Sequence, residues 1–240
     1  MRIKFLGSGS AFVRETENYQ SNILINDSLL YDCGTTINEA LHTNNIKIEN
    51  IKAIFISHLH ADHIGGLEYI GFSSYFVLNK YRINLLIPRF LYKNVKEYLN
   101  ITMSNTPDGI QAVEGYFNPI LIEKKYNNLQ IIETEHTKER SYGIIIDNIF
   151  ISGDTIFNKG YLVNIYNSVE HIFHDCEFAN YPNSVHTQFR ELKTLSEDIK
   201  SKMYLYHYSL GDKTYLELEK EVLDAGFKGL VKRGEEFELG

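Results

Sequence analysis

The stretch that decides the fold reads Ser57-His58-Leu59-His60-Ala61-Asp62-His63-Ile64-Gly65-Gly66. Three histidines and one carboxylate lie close together within it. Imidazole and carboxylate groups are the ligands that zinc and similar first-row divalent metals use in proteins. Histidine and aspartate are poor packing residues unless their polar atoms are satisfied. The stretch therefore predicts a metal site rather than a surface loop that happens to be rich in histidine.

The residues on either side of the stretch place it in an α/β fold. Ile51 to Ile56 is apolar and β-branched, which predicts a buried strand. Gly65 and Gly66 lead into a predicted helix that ends near Leu78. The histidines thus follow the carboxyl end of a strand, where functional residues of α/β proteins gather.

Four more candidate residues share this position at, or just past, the end of a predicted strand: His136, Asp154, Asp175 and His207. The strands concerned are predicted at Leu129–Glu135, Asn148–Ser152, His171–Asp175 and Met203–Tyr206. Strand ends at one edge of a sheet converge in space. We therefore expect a metal site assembled from segments that are distant in sequence.

The rest of the chain alternates between strand and helix patterns. Further strands are predicted at Arg2–Leu6, Ser21–Ile25, Ser28–Tyr31, Ile83–Ile87, Pro119–Ile122 and Ser141–Ile146, with short edge strands around Leu230 and Phe237. Helices are predicted up to Leu41, over Phe90–Asn100, around Tyr161–Tyr166, as one long stretch after His186, and over Thr214–Ala225. The segment Ile101–Asn118 has no clear period and is a candidate lid, subunit contact or surface loop.

Composition limits the classes of function. The chain has 240 residues, 43% of them hydrophobic, which is enough for one α/β domain over residues 1–240. A net charge of −7 argues against a large nucleic-acid surface, because such surfaces need lysine and arginine to neutralise phosphates. The two cysteines, Cys33 and Cys176, form no spacing motif, which is typical of a reducing, cytoplasmic setting. No apolar run approaches the roughly 20 residues of a membrane span.

Taken together, the metal-ligand candidates resemble the metallo-β-lactamase superfamily over nearly the whole chain. The resemblance implies an α/β fold, a four-layer αβ/βα sandwich of two mixed sheets flanked by helices. It also implies two divalent metal ions, zinc with manganese as the alternative, at one edge of the sheets. By position, one ion takes His58, His60 and His136, the other takes Asp62, His63 and His207, and Asp154 bridges them. Two ions roughly 4 Å apart stabilise both the attacking and the leaving oxygen of a displacement.

Three further segments are similar to the ribonuclease Z-like phosphodiesterase branch. They are Phe5-Leu6-Gly7-Ser8-Gly9-Ser10-Ala11, His174-Asp175-Cys176-Glu177-Phe178 and Val185-His186-Thr187. In that branch a carboxylate–histidine pair protonates the leaving group, and by position this pair is Asp175 and His186. Expelling a ribose alkoxide needs a general acid, which a histidine supplies near neutral pH. The resemblance gives Asp62 a second role, which is to orient the attacking hydroxide.

Within this branch three segments look closer to the small phage and bacterial anti-Pycsar proteins: Ser10-Ala11-Phe12, Asn18–Asn22 and Ser57–Glu68. The basic arm with which ribonuclease Z grips tRNA has no counterpart in the sequence. The resemblance implies a cytoplasmic homodimer, in the host cytoplasm if a phage encodes it. It implies hydrolysis of 3′,5′-cyclic CMP and UMP, and also of cyclic AMP and GMP, which would counter cyclic-nucleotide antiviral signalling. The alternatives are a tRNA 3′ endonuclease, a lactonase or thioesterase, and a metal-binding sensor without catalysis.

The remaining polar residues have more ordinary interpretations. Asp32 is either a metal ligand or a carboxylate that orients the histidine stretch. We expect His42 on the surface, His171 in a structural role and His174 buried beside Asp175. Cysteines 33 and 176 are expected in the core, and tyrosines 206 and 208 in packing rather than against a nucleobase.

Overall fold

The computed structural model describes residues 1–13, 18–104, 106, 112–138, 140–182 and 184–240. Its strands are β1 (Arg2–Gly7), β2 (Asn22–Ile25), β3 (Leu29–Tyr31), β4 (Ala53–Phe55), β5 (Ile83–Pro88), β6 (Phe117–Ile122), β7 (Lys125–Tyr126), β8 (Leu129–Glu135), β9 (Arg140–Ile146), β10 (Ile149–Ile151), β11 (His171–Asp175), β12 (Met203–Tyr206), β13 (Gly229–Leu230) and β14 (Glu236–Glu238). Its α-helices are α1 (Ile37–Thr43), α2 (Ala61–Ile64), α3 (Leu67–Phe72), α4 (Tyr92–Met103), α5 (Ala112–Tyr116), α6 (Lys159–Asn167), α7 (Phe189–Leu192), α8 (Glu197–Lys200) and α9 (Tyr215–Asp224). None of the helices in these described ranges is both long and apolar enough to cross a membrane.

The chain forms two compact units, and the first comprises Met1–Gly7, Tyr19–Glu123 and Arg233–Gly240. Its seven-stranded sheet has the order β14-β1-β2-β3-β4-β5-β6. Pairing is antiparallel from β14 to β3 and parallel from β3 to β6. The buried apolar side chains of β4 and β5 continue to the ends of the strands, as expected where parallel strands are covered.

The second unit comprises Ser8–Asn18 and Lys124–Lys232 and has a sheet of the same kind. The strand order is β13-β12-β11-β10-β9-β8-β7, parallel from β13 to β10 and antiparallel from β10 to β7. A core cluster that includes Phe150, Ile172 and Leu205 from the strands and Leu218 from α9 lies beside this sheet. The prediction of two mixed sheets with helices is therefore confirmed.

Tight turns of asparagine and aspartate explain the antiparallel parts. Asn26 and Asp27 have φ values of 46° and 55° between β2 and β3. Asn127 and Asp147 take the same left-handed region between β7 and β8 and between β9 and β10. These residue types tolerate that region, and the resulting turns match the twist of the strands they join.

Two helix predictions need correction. The single long helix predicted after His186 is two short helices, α7 and α8, because Ser196 is extended (φ −67°, ψ 155°) and starts α8 as its N-cap. The helix predicted to follow Gly65 and Gly66 begins at Leu67 as α3, as expected, but it finishes as a π-helical turn over Ser73–Val77. A separate short helix, α2, precedes the two glycines. Hydrophobic periodicity does not distinguish a π turn from an α turn of similar composition.

The irregular segment Ile101–Asn118 is also more ordered at its ends than its sequence indicates. Helix α4 extends through Met103, and α5 and the start of β6 occupy residues 112–118. Residues 105 and 107–111, where the predicted lid or subunit contact would centre, lie outside the described residues.

Candidate active site

The first unit carries four of the seven predicted metal ligands in the histidine stretch. His58 and Asp62 are buried, His63 is buried in α2, and His60 is exposed at the position that precedes this helix. The ring of His58 lies with its centroid 4.7 Å from that of His60 and 4.1 Å from that of His63. The rings of His60 and His63 thus both lie beside the ring of His58.

Asp32, which directly follows β3, fixes the orientation of this cluster. Its Oδ1 accepts the Ser57 backbone N–H at 2.8 Å, and its Oδ2 accepts the Ser57 hydroxyl and the His63 Nδ1–H at 2.7 Å each. The Ser57 hydroxyl lies 3.0 Å from His58 Nδ1. Asp32 has a left-handed φ of 63°, which is strained for a residue with a side chain. Burial raises its pKa, while His63 and Ser57 oppose that rise. Asp32 thus has the position of an orienting carboxylate.

A ring nitrogen of His63 and the carboxylate of Asp62 lie close together in this unit. Nδ1 of His63 makes a hydrogen bond with Asp32. The other ring nitrogen of His63, Nε2, is therefore the atom that can bind a metal. That Nε2 lies 3.2 Å from Asp62 Oδ2, and both side chains are almost fully buried. A buried arrangement of this kind fits a cation between the two groups.

Gly34 provides a test of how tightly this loop is packed. A Cβ on Gly34 would collide with the backbone carbonyl of Asp62, so we expect Gly34→Ala to push the histidine stretch away from Asp32. The free energy of unfolding should fall by about 1–3 kcal/mol, as for other overpacked sites. Gly160→Ala is the matched control, because its Cβ would meet nothing closer than 3.9 Å, at the Asn158 side chain. Urea denaturation of both variants tests this, and equal midpoints would contradict the close packing described for Gly34.

The second unit carries the other three predicted ligands, arranged around Asp154. Asp154 Oδ1 lies 3.4 Å from His207 Nε2, and its Oδ2 lies 3.6 Å from His136 Nε2. The carboxylate is only 1% exposed. One ligating atom from each of Asp154, Asp175, His186 and His207 falls within 4.8 Å of the others. The convergence of distant strand ends predicted from the sequence is therefore observed within this unit.

His136 shows most clearly that this cluster suits a cation. Its Nδ1 is 2.7 Å from the Val185 carbonyl, which only accepts, so Nδ1 carries the proton. Burial, the largest influence, lowers the pKa of His136 and favours the neutral ring, although Asp154 opposes the shift. Nε2 of the neutral ring, which carries a lone pair, then lies 3.6 Å from a buried oxygen of Asp154. Two acceptors in such contact are stabilised by a positive ion that both can bind.

His207 is held by an unusual backbone conformation. It follows β12 with a φ of 60°, a strained value for histidine. The turn Gly7-Ser8-Gly9-Ser10, a weak signal in the sequence, explains how the strain is maintained. The Ser8 carbonyl accepts the His207 N–H at 2.7 Å, and the Tyr208 carbonyl accepts the Ser10 N–H at 3.1 Å. This turn therefore positions a candidate ligand.

Asp175 and His186 form the pair that the resemblance implies. His186 Nδ1 lies 3.0 Å from Asp175 Oδ2, which also accepts the Thr155 backbone N–H at 3.2 Å. Asp175 is fully buried at the end of β11, and its own N–H donates to the Ser152 hydroxyl at 2.9 Å. His186 is partly exposed. The carboxylate is thus fixed by the sheet, and it orients a histidine that solvent and ligands reach.

Sequence reasoning missed the partners that hold these side chains: the Val185 carbonyl, Ser152, Thr155 and Tyr166. Tyr166 is fully buried in α6 and donates its hydroxyl to His174 Nε2 at 2.7 Å. His174 Nδ1 donates to the Asp175 carbonyl at 2.8 Å, so the ring is neutral with the proton on Nδ1. Backbone carbonyls have no sequence signal, and a tyrosine in an apolar helix pattern resembles ordinary core.

The other polar residues mostly agree with their predictions. His42 is exposed, His174 is fully buried, and both cysteines are buried with thiol pKa values raised chiefly by desolvation. The buried hydroxyl of Tyr206 accepts the Gly153 N–H, and that of Tyr208 donates to the Val231 carbonyl. Both tyrosines therefore pack within the unit, as predicted. His171, partly buried, lies 3.4 Å from the Lys228 ammonium.

The stability of the metal-free protein should depend on His174 below neutral pH. Burial, the first cause, lowers the pKa of His174 below the ordinary value near 6.5, so the unfolded chain takes up this proton first. The stability that neutral His174 contributes is fully present above about pH 6.5 and is lost as the pH falls below that value. We expect unfolding free energies at pH 7.5 and 5.5, measured in chelator, to differ by about 1 kcal/mol more in the wild type than in His174→Gln. Identical pH slopes would refute this.

Comparison with known proteins identifies the family. The family model for the anti-Pycsar protein Apyc1 matches residues 1–237. The chain belongs to this family. It is 33% identical to the anti-Pycsar protein Apyc1 of Paenibacillus harenae over 221 residues, which are 87% of this chain and 90% of that protein. It is 30% identical to the Apyc1 protein of Bacillus phage BSP38 over 230 residues, covering 86% of this chain and 88% of the relative.

A solved structure confirms the fold class. The metallo-β-lactamase fold protein YhfI from Bacillus subtilis superposes with a TM-score of 0.78 over 98% of both chains, at 16% identity. The predicted metallo-β-lactamase fold with two mixed sheets is therefore confirmed. At this identity the likeness bears on the fold alone.

Proposed function

We propose that the protein is a metal-dependent phosphodiesterase that hydrolyses 3′,5′-cyclic mononucleotides to nucleoside monophosphates. Membership of the anti-Pycsar family over residues 1–237 supports this activity. The observation that supports this type of reaction is the distance of 3.0 Å between Oδ2 of the buried Asp175 and Nδ1 of His186. Such a pair serves a reaction in which a poor alkoxide leaving group needs a proton.

The donor set supports two divalent metal ions, zinc or manganese. We propose that His58, His60 and His136 hold one ion, that Asp62, His63 and His207 hold the other, and that Asp154 bridges both. When bound, the ions would activate a water molecule and stabilise charge on the phosphoryl oxygens. Asp32 and the Val185 carbonyl fix the tautomers of His63 and His136 so that Nε2 is the ligating atom in each.

Two residues of the chain, Asp175 and His186, would then supply a proton to the leaving oxygen. Asp175 holds Nδ1 of His186, which leaves Nε2–H to face the substrate. As the bond between phosphorus and the ribose oxygen breaks, His186 gives that oxygen its proton. Asp62, besides binding metal, would orient the attacking water, which loses a proton to solvent as its oxygen forms the new bond to phosphorus. The product is a nucleoside monophosphate.

A substrate panel tests this proposal. The protein is loaded with zinc or manganese, its metal content is measured, and 3′,5′-cyclic CMP, UMP, AMP and GMP are followed by ion-exchange chromatography. We expect all four to be converted to monophosphates, and a chelator to stop the reaction. A precursor tRNA and a lactone, incubated in parallel, should stay intact. Failure to convert any cyclic nucleotide at two metal ions per chain would refute the proposal.

We also propose that the protein is a cytoplasmic zinc homodimer that folds as one domain over residues 1–240, as its family resemblance implies. In an infected cell its activity would counter cyclic-nucleotide antiviral signalling. Light scattering of the purified protein gives the mass in solution, and a monomer at all concentrations would exclude the dimer. Elemental analysis of protein from cells grown without added metal identifies the native ion.

A further inference from the structure

A cavity of about 400 Å³ lies in the second unit and shares His186 with the candidate acid pair. Its walls include the side chains of Phe12, Tyr181, Val185 and Glu177, together with Ser10 and Ser209. Clefts of this size, apolar with a few polar groups, are typical binding sites for small ligands. Because His186 lines it, a ligand in this cavity lies next to the group that we propose as the proton donor.

Two aromatic rings in the cavity wall are unusually exposed. Phe12 is 87% exposed and Tyr181 is 57% exposed. Water contact with large apolar rings is unfavourable, and a flat ligand that covers them recovers that free energy. Stacking on aromatic side chains is also the way in which proteins bind bases that are free of a duplex.

The charges around the cavity argue against a phosphate in it. Glu177 contributes a carboxylate, and the described residues that line the cavity offer no cationic side chain apart from His186, the proposed acid. A phosphate would be repelled by the carboxylate, whereas a neutral ring with N–H donors would be attracted. One carboxylate oxygen of Glu177 accepts the Ala179 N–H at 2.8 Å, which fixes the group and leaves acceptor capacity for a ligand.

We propose that this cavity binds the nucleobase of the substrate, with the base stacked on Phe12 and Tyr181 and an N–H group donated to Glu177. This inference rests on the proposed function. Cytosine, uracil, adenine and guanine each carry at least one N–H donor on the ring or its amino group. One carboxylate therefore accepts a hydrogen bond from any of them, so the cavity favours a base without selecting one.

Kinetic measurements on substrates with and without a nucleobase test this assignment. Phe12→Ala and Tyr181→Ala are each expected to raise KM for cyclic CMP and cyclic AMP about tenfold, in the range that loss of one stacking contact gives. The same variants should leave turnover of the 3′,5′-cyclic phosphate of 1-deoxyribose, which has no base, unchanged. Phe90→Ala is the control, because Phe90 is an exposed aromatic residue that is not among the residues lining the cavity. Equal effects on the two kinds of substrate would overturn the assignment.

Direct binding separates this inference from the proposed activity. Adenosine and cytidine, which have no phosphate, should show saturation-transfer NMR signals with the metal-free wild-type protein and with Phe90→Ala. The signals should be lost with Phe12→Ala and Tyr181→Ala. Absence of signal from the wild type overturns the base site. Binding of nucleosides without hydrolysis of any cyclic nucleotide supports the base site and overturns the activity.

Discussion

Substitution of Asp154 by asparagine is expected to reduce turnover of cyclic nucleotides by about a thousandfold or more and to lower the number of metal ions bound. The Asp154 carboxylate lies within 3.4–3.6 Å of the Nε2 atoms of His207 and His136. The asparagine keeps the shape but removes the charge, which would leave a bridged metal pair without its shared anion. Stabilisation of transition-state charge by such ions is worth several kcal/mol, and each 1.36 kcal/mol is a factor of ten in rate.

The matched control for this experiment is Asp212→Asn. Asp212 lies in the same unit and is exposed in the loop before α9, so removal of its charge should leave turnover and metal content unchanged. Metal per chain is measured by elemental analysis after gel filtration, and kcat/KM with cyclic CMP. An Asp154→Asn variant that retains two ions and wild-type turnover would contradict the role of Asp154.

Stability measurements give an independent view of the same carboxylate. A buried carboxylate against histidine lone pairs is costly without a cation, so in chelator Asp154→Asn should be at least as stable as the wild type. With zinc added, the wild type should gain several kcal/mol by linkage, whereas the variant gains much less. If Asp154 were simply a structural residue, the variant would be less stable in both conditions.

The sequence indicates the ligand candidates because they depend on chemistry that is local. Three histidines and an aspartate within six consecutive residues, from His58 to His63, have few uses besides metal binding. Strands such as Leu129–Glu135 and His171–Asp175 are predicted with the bounds that the structure has.

What orients the ligands is much harder to predict, because it depends on contacts over long sequence distances. The Val185 carbonyl reaches His136 across 49 positions, and Asp32 reaches His63 across 31. The left-handed backbone of Asp32 and His207 is equally hidden, since neither residue type requires it. The sequence therefore indicates which groups meet, whereas only the fold reveals how each ring is turned and protonated.

Breaks in helices are the other feature that composition conceals. The residues after His186 have helical spacing, yet α7 ends at Leu192 and α8 begins after Ser196, which occupies its N-cap position. A serine inside a helix pattern is weakly informative, since serine is tolerated in a helix and favoured at its N-cap.

Removal of the His186 side chain is expected to slow cyclic-nucleotide hydrolysis by about a hundredfold to ten-thousandfold and to leave the metal content unchanged. This is the usual range for loss of a general acid. Asp175→Asn should have a smaller effect in the same direction, because it leaves the ring in place but removes the carboxylate that orients it at 3.0 Å. His42→Ala is the control, since His42 is an exposed histidine on α1, in the other unit.

A substrate whose leaving group needs no proton distinguishes two roles of His186, general acid and metal ligand. A p-nitrophenolate ion departs without protonation, so His186→Ala should hydrolyse bis-p-nitrophenyl phosphate nearly as well as the wild type does, if His186 is the acid. Because His186 Nδ1 also lies 3.8 Å from Asp154, a second role as a metal ligand would show as lost metal and equal losses on both substrates. The pH profile adds a third measurement: the wild-type rate should fall at high pH as His186 loses its proton, and that limb should be absent in His186→Ala. A variant that loses metal, slows equally on both esters and keeps the high-pH limb would assign His186 to metal binding and leave the leaving oxygen without its proton donor.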